Sequence, residues 1–205
     1  MKTIVVLSAV LLCAQQSPRI LEETPGLRVT MDDDGGRVET FRRGDAPRAI
    51  EYHGGAVIKA PLVQLVFLGD WSRLDSMKRV LEREVTAAQD RDVERAGIVR
   101  PVTIAGARDV AAPAAAINDL HIRQTLAALP LRDANAIFVV FVAPAVRATL
   151  GGSQEFDSYH SHFHADDGHV RYVVVPFNAD AKVMSEGAAR SLARAMINPD
   201  GDGWY

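Results

Sequence analysis

Four of the chain's six histidines lie close together, three in Tyr159-His160-Ser161-His162-Phe163-His164 and the fourth, His169, beyond Asp166-Asp167-Gly168. The first three alternate with other residues. Successive side chains of an extended strand point to opposite faces, so His160, His162 and His164 share one face and Tyr159, Ser161 and Phe163 the other. Two imidazoles two residues apart on a strand can hold one zinc ion through their ring nitrogens, given a third ligand from elsewhere. His169 across a hairpin, His53 or Asp157 are the candidates for that third position. A polar, half-exposed strand face near a hairpin tip explains the same pattern without a metal. Zinc is therefore the only cofactor suggested, and none is required. His121, in an expected helix, reads as an ordinary, partly buried side chain.

Other chemistries have less to stand on. A zincin peptidase needs His-Glu-x-x-His on a helix, with two imidazoles on one face and a glutamate to polarise the zinc-bound water. No histidine here is followed by glutamate, and Arg190 and Arg194 occupy the corresponding face of the last expected helix. With Lys182 they could meet an anionic ligand, although a solvated basic face accounts for them equally well. Asn198-x-Asp200-x-Asp202-Gly203 has the oxygen spacing that opens a calcium loop. No glutamate follows at the twelfth position, so a tight turn after a helix is the simpler reading. Ser153 lacks a nucleophile-elbow pattern, and Gly35-Gly36 and Gly151-Gly152 match no phosphate-binding loop.

The elements that would position these residues follow from periodicity. Leu62 to Leu68 and Ala136 to Val142 are short apolar runs suited to strands buried on both faces. Ser72 with Asp75 resembles a capping box, and Leu74, Met77, Leu81, Val85 and Ala88 recur at helical spacing, with Lys78 and Glu82 paired outside. Val102 to Ala105 suggests another strand. Pro113 can open a helix carrying Ile117, Leu120 and Leu126 that stops before Pro130. The histidine strand and Val170 to Val175 form a hairpin about Asp167-Gly168. A last helix runs from about Ala181 to Met196, its buried face drawn from Val183, Ala188, Leu192, Ala195 and Met196. The expectation is an α/β fold: a single-domain mixed β-sheet with flanking helices. The order strand, long helix, strands, hairpin and final helix is zincin-like, an analogy that carries no function by itself.

At 205 residues, 48% hydrophobic, 24% charged and net charge -3, the composition is that of an ordinary globular chain with one core. The slightly acidic balance, with 6% aromatics, argues against nucleic acid, which is bound by clustered positive charge and stacking platforms. Met1-Lys2 followed by the apolar run Ile4 to Leu12 has the form of a signal peptide over 1–14, with a cut after Ala14. That run is too short to span a bilayer, and a buried first strand is the alternative. The only cysteine, Cys13, lies within the expected signal peptide, so a mature chain would carry no thiol chemistry. Residues 15–50 are polar and glycine-rich, read as a flexible leader, and 51–205 as the folded domain.

Several segments, in order, resemble the EXORDIUM or phosphate-induced protein family of plant cell walls and its bacterial relatives. They are Tyr52-His53-Gly54-Gly55, the apolar strand closing on Gly69-Asp70-Trp71-Ser72, Leu129-Pro130 with Asn135 and Ile137, Tyr159-His160-Ser161, and Asn198-Pro199-Asp200-Gly201-Asp202-Gly203-Trp204-Tyr205. Plant members carry cysteines beside the segment matching Tyr159-His160, and some bacterial relatives have His-Glu where this chain has Arg190-Ser191. The resemblance implies a secreted or periplasmic protein tied to the cell wall or envelope, with no established reaction to carry over. His53, Tyr159, Arg190 and Arg194 are the ligand-binding candidates. Two functions result: a non-catalytic or catalytically degenerate envelope-binding protein, or a zinc-dependent hydrolase built on His160, His162 and His164 with His169. A degenerate or truncated family member ending early at Tyr205 is a third expectation.

Overall fold

The computed structural model describes residues 19–24, 27–31, 37–41, 51–87, 93, 96–97, 102–130, 133–150, 156–165 and 168–203. Residues 1–14, read above as a signal peptide and including Cys13, lie outside them, as do Gly35-Gly36, Gly151-Gly152-Ser153, Asp166-Asp167 and Trp204-Tyr205.

The core of the sheet comes from the two apolar runs. β4 (Leu62–Leu68) and β7 (Ala136–Val142) pair in parallel, Leu62 opposite Ala136 through Leu68 opposite Val142. Every residue of β7 is buried. Its side chains divide by the two-residue period: Ile137, Val139 and Phe141 enter one core, Phe138, Val140 and Val142 the other. Burial of each such side chain stabilises the fold by roughly 1.5–3 kcal/mol, which is why these runs sit at the sheet centre. β5 (Thr103–Val110) adds in parallel outside β4. β10 (Gly168–Val175) adds in parallel outside β7, and β9 (Ser158–Ala165) pairs antiparallel with β10. The result is the expected mixed α/β sheet, with β9-β10-β7-β4-β5 as its main body.

The stretch expected to be a flexible leader contains three strands, β1 (Arg19–Thr24), β2 (Leu27–Met31) and β3 (Arg37–Phe41). They form an antiparallel meander that lengthens the sheet to eight strands. Its contact with the main body is short: Glu39, Thr40 and Phe41 of β3 face His160, Tyr159 and Ser158 of β9. Alternation such as Leu27-x-Val29-x-Met31 and Val38-x-Thr40 is a strand signal that the glycine and aspartate runs between the segments obscure.

Helix α1 (Asp75–Ala87) and helix α3 (Ala181–Ile197) cover one face, packing Leu81, Val85, Met184, Ala188 and Leu192 on Val63, Leu65, Val139 and Val173. Helix α2 (Asp119–Ala127) covers the other with Ile122 and Leu126, beside a two-stranded parallel ribbon of β6 (Ala116–Asn118) and β8 (Arg147–Thr149). From β4 onward the order is strand, helix, two strands, helix, two strands, hairpin and helix.

Two starts differ from expectation. Ser72 is not the N-cap of α1, which starts at Asp75; its amide donates to Asp70 Oδ1 at 3.0 Å in the turn before the helix. Pro113 opens no helix either. Ile117 lies in β6, and Asn118 caps α2 by accepting from the His121 amide at 3.2 Å, leaving Leu120 exposed. The β-branched Ile117 is better served as a strand residue buried against the sheet than in a helical turn. On α1, Lys78 reaches across to Asp109 at 2.7 Å and does not pair with Glu82.

Candidate functional site

The hairpin register decides which histidines meet. His164 stands opposite His169, His162 opposite Arg171, and His160 opposite Val173. These side chains share the face covered by α3, as the alternation requires. The rings of His164 and His169 have centroids 4.1 Å apart, and His162 lies 6.1 Å from His164 and stacks at 6.0 Å on His169. His162, His164 and His169 thus form one cluster at the turn end of the hairpin. His160, only 2% exposed, lies two residues deeper.

The turn after α3 closes one side of the cluster. Asp200 takes two hydrogen bonds from Arg171, Nε to Oδ1 at 2.8 Å and a terminal nitrogen to Oδ2 at 2.9 Å. Asp200 Oδ1 also lies 3.3 Å from His169 Nδ1. Arg171 completes its shell by donating to the Ala134 carbonyl at 2.8 Å. Burial raises the Asp200 carboxyl, but the hydrogen bonds and charge of Arg171, with His169 and His162 nearby, outweigh it and hold its pKa below the ordinary value.

The same turn favours the simpler reading of the calcium-like spacing. The Asn198 side-chain oxygen accepts from the Gly203 amide at 2.8 Å, and Asp200 is held by Arg171, so two of the three oxygens are already committed. Tyr52-His53-Gly54-Gly55 packs directly on this turn. The His53 amide donates to the Gly203 carbonyl at 2.9 Å, and a Cβ on Gly55 would collide with the Asp202 backbone. Two segments that carry the family resemblance, about 150 positions apart, therefore meet. His53 takes its place here through its backbone. Asp157 lies at the far end of β9, beyond Ser158, where its carbonyl faces Gly187 of α3.

Helix α3 presents Ser191 and Arg194 inward. Ser191 donates to Ser158 Oγ of β9 at 2.7 Å with both side chains fully buried, and Arg194 is 7% exposed. The basic face expected in solvent is thus inside at Arg194 and half-buried at Arg190. The helix approaches so closely because Gly187 has no side chain: a Cβ there would lie 3.3 Å from the Asp157 carbonyl. Among the described residues, no three or more His, Cys, Asp or Glu side chains are placed to hold a metal ion together.

Tyr159 belongs to the opposite face and is completely buried. Its hydroxyl donates to Asp119 Oδ1 at 2.8 Å, and that of Tyr172 reaches Oδ1 at 2.7 Å and Oδ2 at 2.9 Å. Arg123 Nε donates to Asp119 Oδ2 at 2.7 Å. Burial first, then the Asp119 charge, pushes both phenols well above their ordinary pKa. A carboxylate satisfied by two phenols and a guanidinium ties α2 to the hairpin and leaves no open coordination, so Tyr159 is a structural residue. Asp119, Arg171 and Asp200 were all invisible as partners in the sequence. Apart from the i,i+4 pair of Asp119 with Arg123, these contacts span 29 to 53 positions, and no local spacing signals them.

The fold and the polar cluster define a single-domain mixed α/β protein with an imidazole-rich hairpin. No protein-family model matches the chain, and neither the curated proteins nor the solved structures include a detectable match. No helix among the described residues is long and apolar enough to cross a membrane.

Proposed function

We propose that this chain is an exported, EXORDIUM-like binding protein of the cell envelope, non-catalytic or catalytically degenerate. The observation that carries this reading is the inner face of α3. In a zincin-like order of elements that helix would have to offer metal donors and a base. Here Ser191 is engaged with Ser158, and the buried guanidinium of Arg194 opposes a divalent cation. Export rests on Lys2 and the apolar run that follows it, and envelope association on the ordered resemblance over 52–205.

The competing reading, a zinc-dependent hydrolase using His160, His162 and His164, has in its favour the proximity of the His162 and His164 rings to each other and to His169, although His160 lies outside that cluster. Hydrolysis also needs a base to take a proton from water. The carboxylate beside the cluster, Asp200, which lies against His169, is held by Arg171 with a depressed pKa, which makes it a poor proton acceptor.

The test is expression of the full chain in a secreting host. The expected product starts at Gln15, is recovered outside the cytoplasm and co-sediments with purified cell-wall polysaccharide, without chelator-sensitive hydrolase activity. An uncleaved product retained in the cytoplasm would overturn export. Chelator-sensitive hydrolysis that disappears in His162→Ala would replace the binding reading with the enzyme.

A further inference from the structure

We propose that the turn end of the β9–β10 hairpin binds a divalent late-transition-metal ion through His164 and His169, with His162 beside them and Asp200 orienting His169. This goes beyond the envelope-binding reading and does not rest on it.

The register supplies the first argument. His164 and His169 are direct cross-strand partners, with centroids 4.1 Å apart. Two imidazoles on one ion, each about 2.0–2.1 Å from it, have ring centres about 5 Å apart. The spacings of 4.1, 6.0 and 6.1 Å within the His162, His164 and His169 cluster lie on either side of that value. As placed, the donors do not converge on one point. Binding therefore requires the exposed ring of His164 to turn toward His169, which Asp200 holds in place.

The surroundings supply the second. Asp200 Oδ1 stands 3.3 Å from His169 Nδ1, the arrangement in which a carboxylate holds the Nδ1–H tautomer and leaves Nε2 as the metal donor. Arg171 would repel a cation, but the same carboxylate binds it at 2.8 and 2.9 Å and offsets its charge. Imidazole nitrogens are poor donors for calcium and magnesium and suit zinc, nickel or copper. His160, beneath α3 and 2% exposed, is not a ligand.

The experiment titrates the chelator-stripped full chain with zinc, using cobalt as a spectroscopic probe. One ion should bind at micromolar affinity or tighter. His164→Ala and His169→Ala should each weaken binding at least 100-fold, with circular dichroism unchanged, and His121→Ala, on α2 at the opposite face of the sheet, should leave it as in the parent. Asp200→Asn should weaken binding about 10-fold. Nitrogen spectra of the His169 ring should then change from a single Nδ1–H tautomer to a mixture, a change that loss of stability alone does not produce. Binding of equal strength in the parent and in the His164→Ala/His169→Ala double variant means an adventitious ion only, and overturns the proposal. Either result leaves polysaccharide co-sedimentation in the presence of chelator as a separate question.

Discussion

Replacing Asp200 with asparagine is expected to loosen the attachment of the closing turn to the hairpin. The carboxylate meets Arg171 through two parallel hydrogen bonds of 2.8 and 2.9 Å, with side chains only 18% and 11% exposed. Hydrogen bonds to charged groups contribute about 1.5–3 kcal/mol each, and breaking a fully buried pair costs about 3–5 kcal/mol. Asparagine keeps one oxygen in place, and Arg171 keeps the Ala134 carbonyl, so a loss of about 2–3 kcal/mol is expected. With a urea slope of about 2 kcal/mol/M, the midpoint should fall by about 1–1.5 M. The assay is urea unfolding of the parent, Asp200→Asn, Arg171→Met and the double variant. Arg171→Met removes the buried cation with the bond, so the double variant should be less damaged than the two singles added together, with a coupling above about 1.5 kcal/mol. An Asp200→Asn variant within about 0.5 kcal/mol of the parent, or a coupling near zero, would show that the pair behaves like a solvent-screened surface bridge. The attachment of the turn would then have to come from its backbone contacts.

Tyr159 and Tyr172 have folded pKa values raised by burial and by Asp119, so the stability tied to them is complete below about pH 10 and is lost as pH rises toward the folded values. Absorbance near 295 nm should therefore show these two phenols ionising together with unfolding; free titration in the folded state would contradict the network. Leu192→Ala, at a fully buried position of α3, should cost about 2–5 kcal/mol in chemical denaturation. Gly55→Ala should destabilise by about 1–3 kcal/mol because its Cβ meets the Asp202 backbone, and unchanged thermal unfolding would place that segment elsewhere.

Local pattern determined a good deal. The apolar runs 62–68 and 136–142 are strands at those bounds, and α3 buries Val183, Ala188, Leu192, Ala195 and Met196 as its spacing requires. The alternation of His160, His162 and His164 put them on one face before any coordinates, since the strand period of two is a property of the backbone itself. Tertiary structure decided which imidazoles meet. Register at a single turn placed His169 against His164, and the packing of α3 placed His160 under a helix. The same packing turned Arg194 inward, although helical spacing alone allowed it a solvated face. It also joined Asp200 to Arg171 and Asp119 to Tyr172, contacts separated by 29 and 53 positions. Periodicity reports which face a residue occupies; what lies opposite that face depends on how distant segments pack, and no short window of sequence contains it.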